Sequence, residues 1–115
     1  MSRVLRGEIH LADLNPTVGS EIAKTRPVLV VSNDINNQHA ATVTIIPITS
    51  TTEKIYPFEV FLRAGEGGLT NDSKAKANQI RTIDKLRLKR RLGKINEEIL
   101  KEIERAILIH LEIES

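Results

Sequence analysis

Arg26-Pro27-Val28-Leu29-Val30-Val31-Ser32-Asn33 is the stretch of sequence that decides the fold. Its Val and Leu residues favour a β-strand that is buried on both faces. Pro27 fixes its own φ and biases the residue before it towards an extended conformation. The sequence therefore predicts that Arg26 is held straight at the point where a buried strand begins.

The loop before this strand runs from Asn15 to Thr25 and is rich in turn-forming residues, among them Gly19 and Ser20. It carries Glu21 and leads into Arg26, so a carboxylate and a guanidinium can reach a single bound group. A guanidinium matches the oxygens of a phosphate and stays charged at physiological pH. We therefore expect Arg26 to bind phosphate, although a surface ion pair between Arg26 and Glu21 is another interpretation of the same residues.

Further strands are predicted on both sides of this one. The first covers Arg6–Leu14, where apolar and polar residues alternate, so one of its faces is expected to be exposed. Ser73–Thr82 alternates small and basic residues, which predicts a strand whose two faces differ in charge. The remaining predicted strands are Thr42–Thr49, Phe58–Arg63 and Leu92–Ile95, and Asn33-Asp34 is expected to cap a short helical turn.

A C-terminal helix follows these strands. Asn96 is a good N-cap, and the two Glu residues that follow it suit the positive end of the helix dipole. The apolar residues Ile99, Ile103, Ile107 and Leu111 recur every four positions. This helix is expected to pack its apolar stripe on the sheet, as a structural element of one domain that spans residues 1–115.

Composition excludes several classes of protein. The 115 residues contain no Cys, so disulfides, thiolate metal sites and a Cys nucleophile are impossible, and we expect no metal and no cofactor. No apolar run approaches the roughly twenty residues of a membrane span, and the N-terminus lacks a signal-peptide segment, so a cytoplasmic protein is expected. The three aromatic residues leave little for recognition by base stacking.

The net charge of +2 is unevenly distributed. Residues 74–94 contain nine Lys or Arg and one Asp, whereas residues 95–115 carry a charge of −4. A basic segment of this density attracts polyanions such as nucleic acid or an acidic protein segment. A solvated face that only keeps the protein soluble is the other interpretation.

Six motifs together resemble the MazF/PemK family of toxin endoribonucleases from type II toxin–antitoxin systems. They are Arg6-Gly7-Glu8-Ile9, Asp13-Leu14-Asn15-Pro16-Thr17-Val18-Gly19-Ser20-Glu21, Thr25-Arg26-Pro27-Val28, Ser32-Asn33-Asp34, Pro47-Ile48-Thr49-Ser50 and Gln79-Ile80-Arg81-Thr82-Ile83-Asp84. The resemblance implies an α+β, mainly β fold, in which a twisted antiparallel sheet forms an SH3-like barrel, as in PemK and CcdB, with a C-terminal helix. It also implies a homodimer, neutralised by a cognate antitoxin protein.

The activity implied by the resemblance is metal-independent cleavage of single-stranded RNA (mRNA) at a short sequence. The 2′-hydroxyl attacks the adjacent phosphate, which leaves a 2′,3′-cyclic phosphate and a 5′-hydroxyl. Arg26 and Thr49 match the catalytic pair of the family, and Glu21 is a candidate base. The residues expected to contact RNA are Ser20, Gln79, Arg81, Asn78 and Lys76.

Two positions depart from the family pattern. Asn78 stands where many relatives carry a carboxylate, and an amide cannot serve as a base. His10 stands where relatives usually have a large aromatic residue, and a single His on a half-exposed strand is more often a surface or hydrogen-bonded residue than a catalyst. Two alternatives stay open: a gyrase poison similar to CcdB, which has no need of the Arg26 and Thr49 pair, and a catalytically weak relative that only binds RNA or antitoxin.

Overall fold

The computed structural model of the protein describes residues 3–114. In this part of the chain, strands make up most of the regular structure, with one long helix at the end. The strands are β1 Glu8–Asp13, β2 Thr25–Val30, β3 Thr42–Thr49, β4 Glu59–Leu62, β5 Ser73–Lys76, β6 Arg81–Asp84 and β7 Leu88–Lys94, and the helices are α1 Asp34–His39 and α2 Glu97–Leu111.

All of the strand pairs are antiparallel, and their order is β4-β5-β3-β2-β1-β7. β6 lies off this path and pairs with the first half of β3, whereas β5 pairs with its last two residues. The prediction of a mainly β, antiparallel sheet with a C-terminal helix is confirmed. The pairings among the described residues leave β4 and β7 at the two open ends of the path, so closure into a barrel is not confirmed.

Ser73–Thr82 was predicted as one strand, and that prediction is wrong. A single turn of 3₁₀-helix at Ala77–Gln79 separates β5 from β6. The break arises because the Ile80 N–H donates to the Ala77 carbonyl within the chain, which removes both groups from any ladder. The strand near Leu92 also begins earlier than predicted, at Leu88.

Buried residues lie on both faces of the central strands. One core, between the sheet and α2, contains Ile9, Leu29 and Ile103, and the other contains Val28 and Val30 on the opposite face. β2 is therefore buried on both faces, as predicted. The prediction of an exposed face on β1 is wrong, because Glu8 and His10 are buried and Ala12, on the same face, lies in the second core.

Helix α2 follows the capping expected from its sequence. The Asn96 side chain accepts a hydrogen bond from the Ile99 N–H, and Glu97 and Glu98 lie in the first turn. Ile103 and Ala106 are buried against the sheet. Within residues 3–114, no helix is both long and apolar enough to cross a bilayer.

Candidate active site

Arg26 and Thr49 line the same cleft, which has a volume of about 480 Å³. The reason is the antiparallel pairing of β2 with β3, in which Val28 lies opposite Pro47. Two residues beyond this pair on each strand, Arg26 near the start of β2 and Thr49 at the end of β3 reach the same cleft. A pair of residues 23 positions apart in the chain is thus brought together by one strand pairing.

The Arg26 guanidinium is half-buried and held by one hydrogen bond, from Nε to the Ala23 carbonyl at 3.2 Å. Its two terminal nitrogens have no hydrogen-bond or carboxylate partner within residues 3–114. The surface ion pair with Glu21 is not formed in this structure. A guanidinium that is fixed through Nε and keeps its fork of donors available is suited to bind phosphate oxygens.

The Thr49 side chain is half-buried at the end of β3. Its hydroxyl accepts a hydrogen bond from the Thr51 N–H at a distance of 3.4 Å. A Thr hydroxyl has one donor and two acceptor positions, so it can still donate to a ligand. Ser50, which follows it, is exposed and lines the same cleft.

The far wall of the cleft is made by the loop around Gly68 and by β7. Gly68 has a φ of +81°, and a Cβ there would collide with the Leu92 carbonyl, so only Gly permits this approach. Thr70 and Asn71 add polar side chains to this wall. These two residues belong to none of the sequence motifs, so only their position in the fold identifies them as part of the site.

Two cationic residues of β7, Arg90 and Arg91, also line the cleft. Nε of Arg91 donates to Oε2 of Glu8 at 2.8 Å, and Oε1 of Glu8 is 3.0 Å from Nε2 of His10. Burial raises the pKa of Glu8, but hydrogen bonds from the Leu5 N–H, His10 and Arg91 outweigh it and hold that pKa below its ordinary value. A buried carboxylate thus anchors Arg91 at the cleft, and His10 is one of the hydrogen-bonded residues that support it.

The structure does not bring Glu21 into the cleft of Arg26. Glu21 lines a neighbouring cleft of about 530 Å³, together with Ser20, Asn78, Gln79 and Arg81. Its carboxylate turns back to accept the Val18 N–H at 2.8 Å, which closes a turn within the loop. Glu21 and Arg26 therefore line neighbouring clefts rather than one, and four of the five residues expected to bind RNA lie together beside Glu21.

Gln79 and Arg81 have structural partners in this neighbouring cleft. The Gln79 side chain accepts the Ile22 N–H at 2.8 Å and donates to the Ser20 carbonyl at 3.2 Å, while Arg81 donates to the Leu14 carbonyl at 3.3 Å. Both side chains thus hold the loop between β1 and β2 in place.

Lys76 lies apart from the other residues expected to bind RNA. Its Nζ is 2.6 Å from Oε2 of Glu59, its partner across the β4–β5 pairing, and Nζ of Lys74 is 2.9 Å from Oε1 of the same carboxylate. Burial raises the pKa of Glu59, but hydrogen bonds from Lys76, the Tyr56 N–H and Lys74 outweigh it, so the pKa lies below its ordinary value of 4.5. Within β5 the two faces differ in charge as predicted, because Ala75 lies in the core whereas Lys74 and Lys76 share the Glu59 carboxylate.

The cations of the basic segment at residues 74–94 thus make different contacts and do not form one surface. Arg87 donates to the Asp13 and Asn15 carbonyls, and Lys85 donates to the Asn37 carbonyl. Of the cations in this segment, only Arg90 and Arg91 line the Arg26 cleft. Across residues 3–114, no group of three or more His, Asp or Glu side chains is arranged to hold a metal ion.

Comparison with known proteins gives a consistent set of relatives. Residues 5–111 match the PemK-like, MazF-like toxins of type II toxin–antitoxin systems. The chain is similar to endoribonuclease MazF9 of Mycobacterium tuberculosis, with 43% identity over 113 residues that cover 94% of this chain and 96% of that protein. It is also similar to endoribonuclease EndoA of Bacillus subtilis, with 39% identity over 109 residues that cover 94% of each.

Solved structures resemble it over the same length. MazF (Form-I) from Deinococcus radiodurans superimposes with a TM-score of 0.85 at 26% identity, covering 97% of this chain and 99% of that one. An endoribonuclease in complex with its cognate antitoxin from Mycobacterial species gives a TM-score of 0.78 at 26% identity, covering 100% and 99%. With matches that extend over nearly the whole chain, the protein belongs to the PemK-like, MazF-like toxin family of type II toxin–antitoxin systems.

Proposed function

We propose that this protein is a toxin endoribonuclease that cleaves single-stranded RNA at a short specific sequence without a metal ion. The observation that carries the proposal is the juxtaposition of Arg26 and Thr49 in one cleft, with the terminal nitrogens of Arg26 available to a ligand. Endoribonuclease activity is supported by the two curated relatives, which both bear that name.

The proposed reaction needs three events at one phosphodiester. The 2′-oxygen loses its proton and attacks the phosphorus, the bond from phosphorus to the 5′-oxygen breaks, and the leaving 5′-oxygen gains a proton. The products are a 2′,3′-cyclic phosphate and a 5′-hydroxyl. Negative charge builds on the phosphorane oxygens, and the fixed donors of Arg26 stabilise it without reorganisation. Thr49 donates a hydrogen bond to the same phosphate.

The base that accepts the 2′ proton is either Glu21 or a water molecule. Arg26 cannot accept it, because a guanidinium does not deprotonate in proteins, and Asn78 offers only an amide. Glu21 lies in the neighbouring cleft, so a Glu21→Gln variant separates the two possibilities: a flattened pH profile on the acid side identifies Glu21, and an unchanged profile identifies water.

Assembly and inhibition complete the proposal. We expect a cytoplasmic homodimer in which the sheet closes towards an SH3-like barrel, and Ile35, a large exposed apolar side chain that lines neither of the two clefts, is a candidate for the subunit contact. A cognate antitoxin with an acidic extended segment is expected to compete with RNA for the cleft that contains Arg26, Arg90 and Arg91. Sedimentation at micromolar concentration tests the dimer, and a titration in which RNA and antitoxin bind together without displacement contradicts the shared cleft.

The decisive experiment incubates a long single-stranded RNA with the protein in EDTA and maps the new ends. The expected result is cutting at one short sequence, with 5′ ends that a kinase phosphorylates directly and 3′ ends that resist ligation to a 5′-phosphorylated adapter until the terminal phosphate is removed. Absence of cutting together with inhibition of DNA gyrase would favour the gyrase poison. Binding of RNA without cutting would favour the catalytically weak relative.

A further inference from the structure

A second basic cleft lies on the other side of β7. It occupies about 650 Å³ between that strand, helix α1 and the N-terminal segment. Its charged lining consists mainly of cations, and these are Arg3, Lys85, Lys89, Arg90 and Arg91. Two of them, Arg90 and Arg91, also line the cleft that contains Arg26 and Thr49. The two clefts therefore form one continuous basic path across β7.

The charges on this path are largely available to a ligand. Within residues 3–114, Arg3, Lys89 and Arg90 have no carboxylate partner and no side-chain hydrogen bond. Arg91 is 52% exposed, and its Nε is anchored to the buried Glu8, so one cation is held in place where the two clefts meet. An array of unpaired cations around an anchored one attracts a polyanion strongly.

The single carboxylate in the lining does not neutralise this array. Asp34 accepts hydrogen bonds from the Arg6 N–H at 2.7 Å and from the Asn37 side chain at 3.2 Å. The Arg6 hydrogen bond holds the pKa of Asp34 below its ordinary value. Asp34 therefore stays ionised, and the lining is net positive because five cations outnumber this one carboxylate.

The lining also indicates what kind of contact a ligand makes. None of the Phe and Tyr residues of the protein lies in the second cleft, and its one ring, that of His10, is buried against Glu8, so bases have no exposed ring to stack on. Cations without stacking platforms bind the phosphate backbone and read no sequence.

We infer that this second cleft binds the phosphate backbone of single-stranded RNA beyond the bond that is cut. This inference rests on the proposed function and deepens it. The Arg26 cleft and its neighbour recognise the RNA sequence, whereas the cleft beyond β7 adds affinity for long RNA of any sequence. A long transcript is therefore bound more tightly than a short fragment that carries only the cleavage sequence.

The test measures binding of 2′-O-methyl RNA oligonucleotides of stepwise increasing length, which cannot be cleaved by attack of the 2′-oxygen. The variant Arg3→Gln/Lys89→Gln removes two exposed cations that line only the second cleft. Its matched control, Lys101→Gln/Arg105→Gln, removes two exposed cations from α2 that line none of the clefts described above. Both variants lose the same charge, and thermal unfolding checks that each is folded.

The expected result is that long RNA binds the Arg3→Gln/Lys89→Gln variant about fivefold more weakly than it binds the parent, with short RNA unaffected. The slope of log affinity against log salt falls in magnitude by about 1.4 for long RNA, as two phosphate contacts are lost. Equal loss in the control variant, or no dependence on RNA length in the parent, overturns the inference. Weakened binding of an acidic peptide with unchanged binding of RNA also overturns it, in favour of a protein ligand.

Failure of the proposed function is seen separately, in cleavage of unmodified RNA. A parent protein that cuts nothing, yet binds long RNA through Arg3 and Lys89, disproves the nuclease and leaves the backbone-binding cleft intact. If the parent cuts RNA but the two substitutions leave binding of long RNA unchanged, the nuclease stands and the backbone-binding cleft is disproved.

Discussion

Replacing Arg26 by Ala is expected to separate catalysis from folding. The structure gives its side chain one hydrogen bond, from Nε to the Ala23 carbonyl at 3.2 Å in a half-buried position. Loss of one such bond lowers the free energy of unfolding by about 1 kcal/mol, which a domain with a stability of about 5–15 kcal/mol tolerates. Arg26→Ala should therefore remain folded.

The effect on cleavage should be much larger. Removing one preorganised donor from a developing oxyanion lowers the rate by about 10²–10³-fold, or about 3–4 kcal/mol of transition-state stabilisation. Arg26→Lys should recover little of this, because an ammonium lacks the planar fork that matches phosphate. Arg63→Ala serves as the matched control, since Arg63 is exposed and lines neither the Arg26 cleft nor the neighbouring one.

Single-turnover cleavage of a labelled RNA in EDTA measures the rate, and urea unfolding of the same preparations measures stability. Single-turnover conditions exclude product release from the comparison. A folded Arg26→Ala protein that cleaves within a few-fold of the parent removes Arg26 from the mechanism. A loss of rate matched by Arg63→Ala refutes the reasoning as well, because it points to a general charge effect.

Three further outcomes follow from the geometry. Thr49→Ala should lower single-turnover cleavage by about tenfold or more through loss of its hydroxyl, whereas Thr49→Ser should retain most of the rate. Glu59 has a lowered pKa, so its stabilising effect is complete above its ordinary pKa of 4.5 and is lost as the pH falls through the lower, folded value. Glu59→Gln leaves Lys74 buried without its carboxylate partner and should lower the free energy of unfolding in urea at pH 7 by about 3 kcal/mol. The variant should also lose less stability than the parent as the pH falls. Gly68→Ala should lower both the melting temperature and the cleavage rate, because its Cβ pushes Leu92 and β7 away from the cleft, and an unchanged melting temperature contradicts that contact.

The elements that the sequence predicted well are those with strong local signals. The Val-rich β2 and the four-residue apolar repeat of α2 depend on neighbouring residues only, so their patterns suffice. The strand predicted over Ser73–Thr82 failed because the short turn at Ala77–Gln79 has no Gly or Pro to mark it. The prediction of an exposed face on β1 failed for a different reason. The burial of Glu8 and His10 depends on β7, which joins the sheet from about 80 residues later in the chain.

By itself the sequence determined the chemistry that this protein can offer: a guanidinium that Pro27 holds extended, a chain without thiols, and motifs of a toxin family. Only the tertiary structure decided which groups meet. The β2–β3 register places Thr49 beside Arg26, while a turn within the loop takes Glu21 into another cleft. Strand register is set by contacts between distant residues, and the partner of a side chain depends on that register, so no local pattern contains this information.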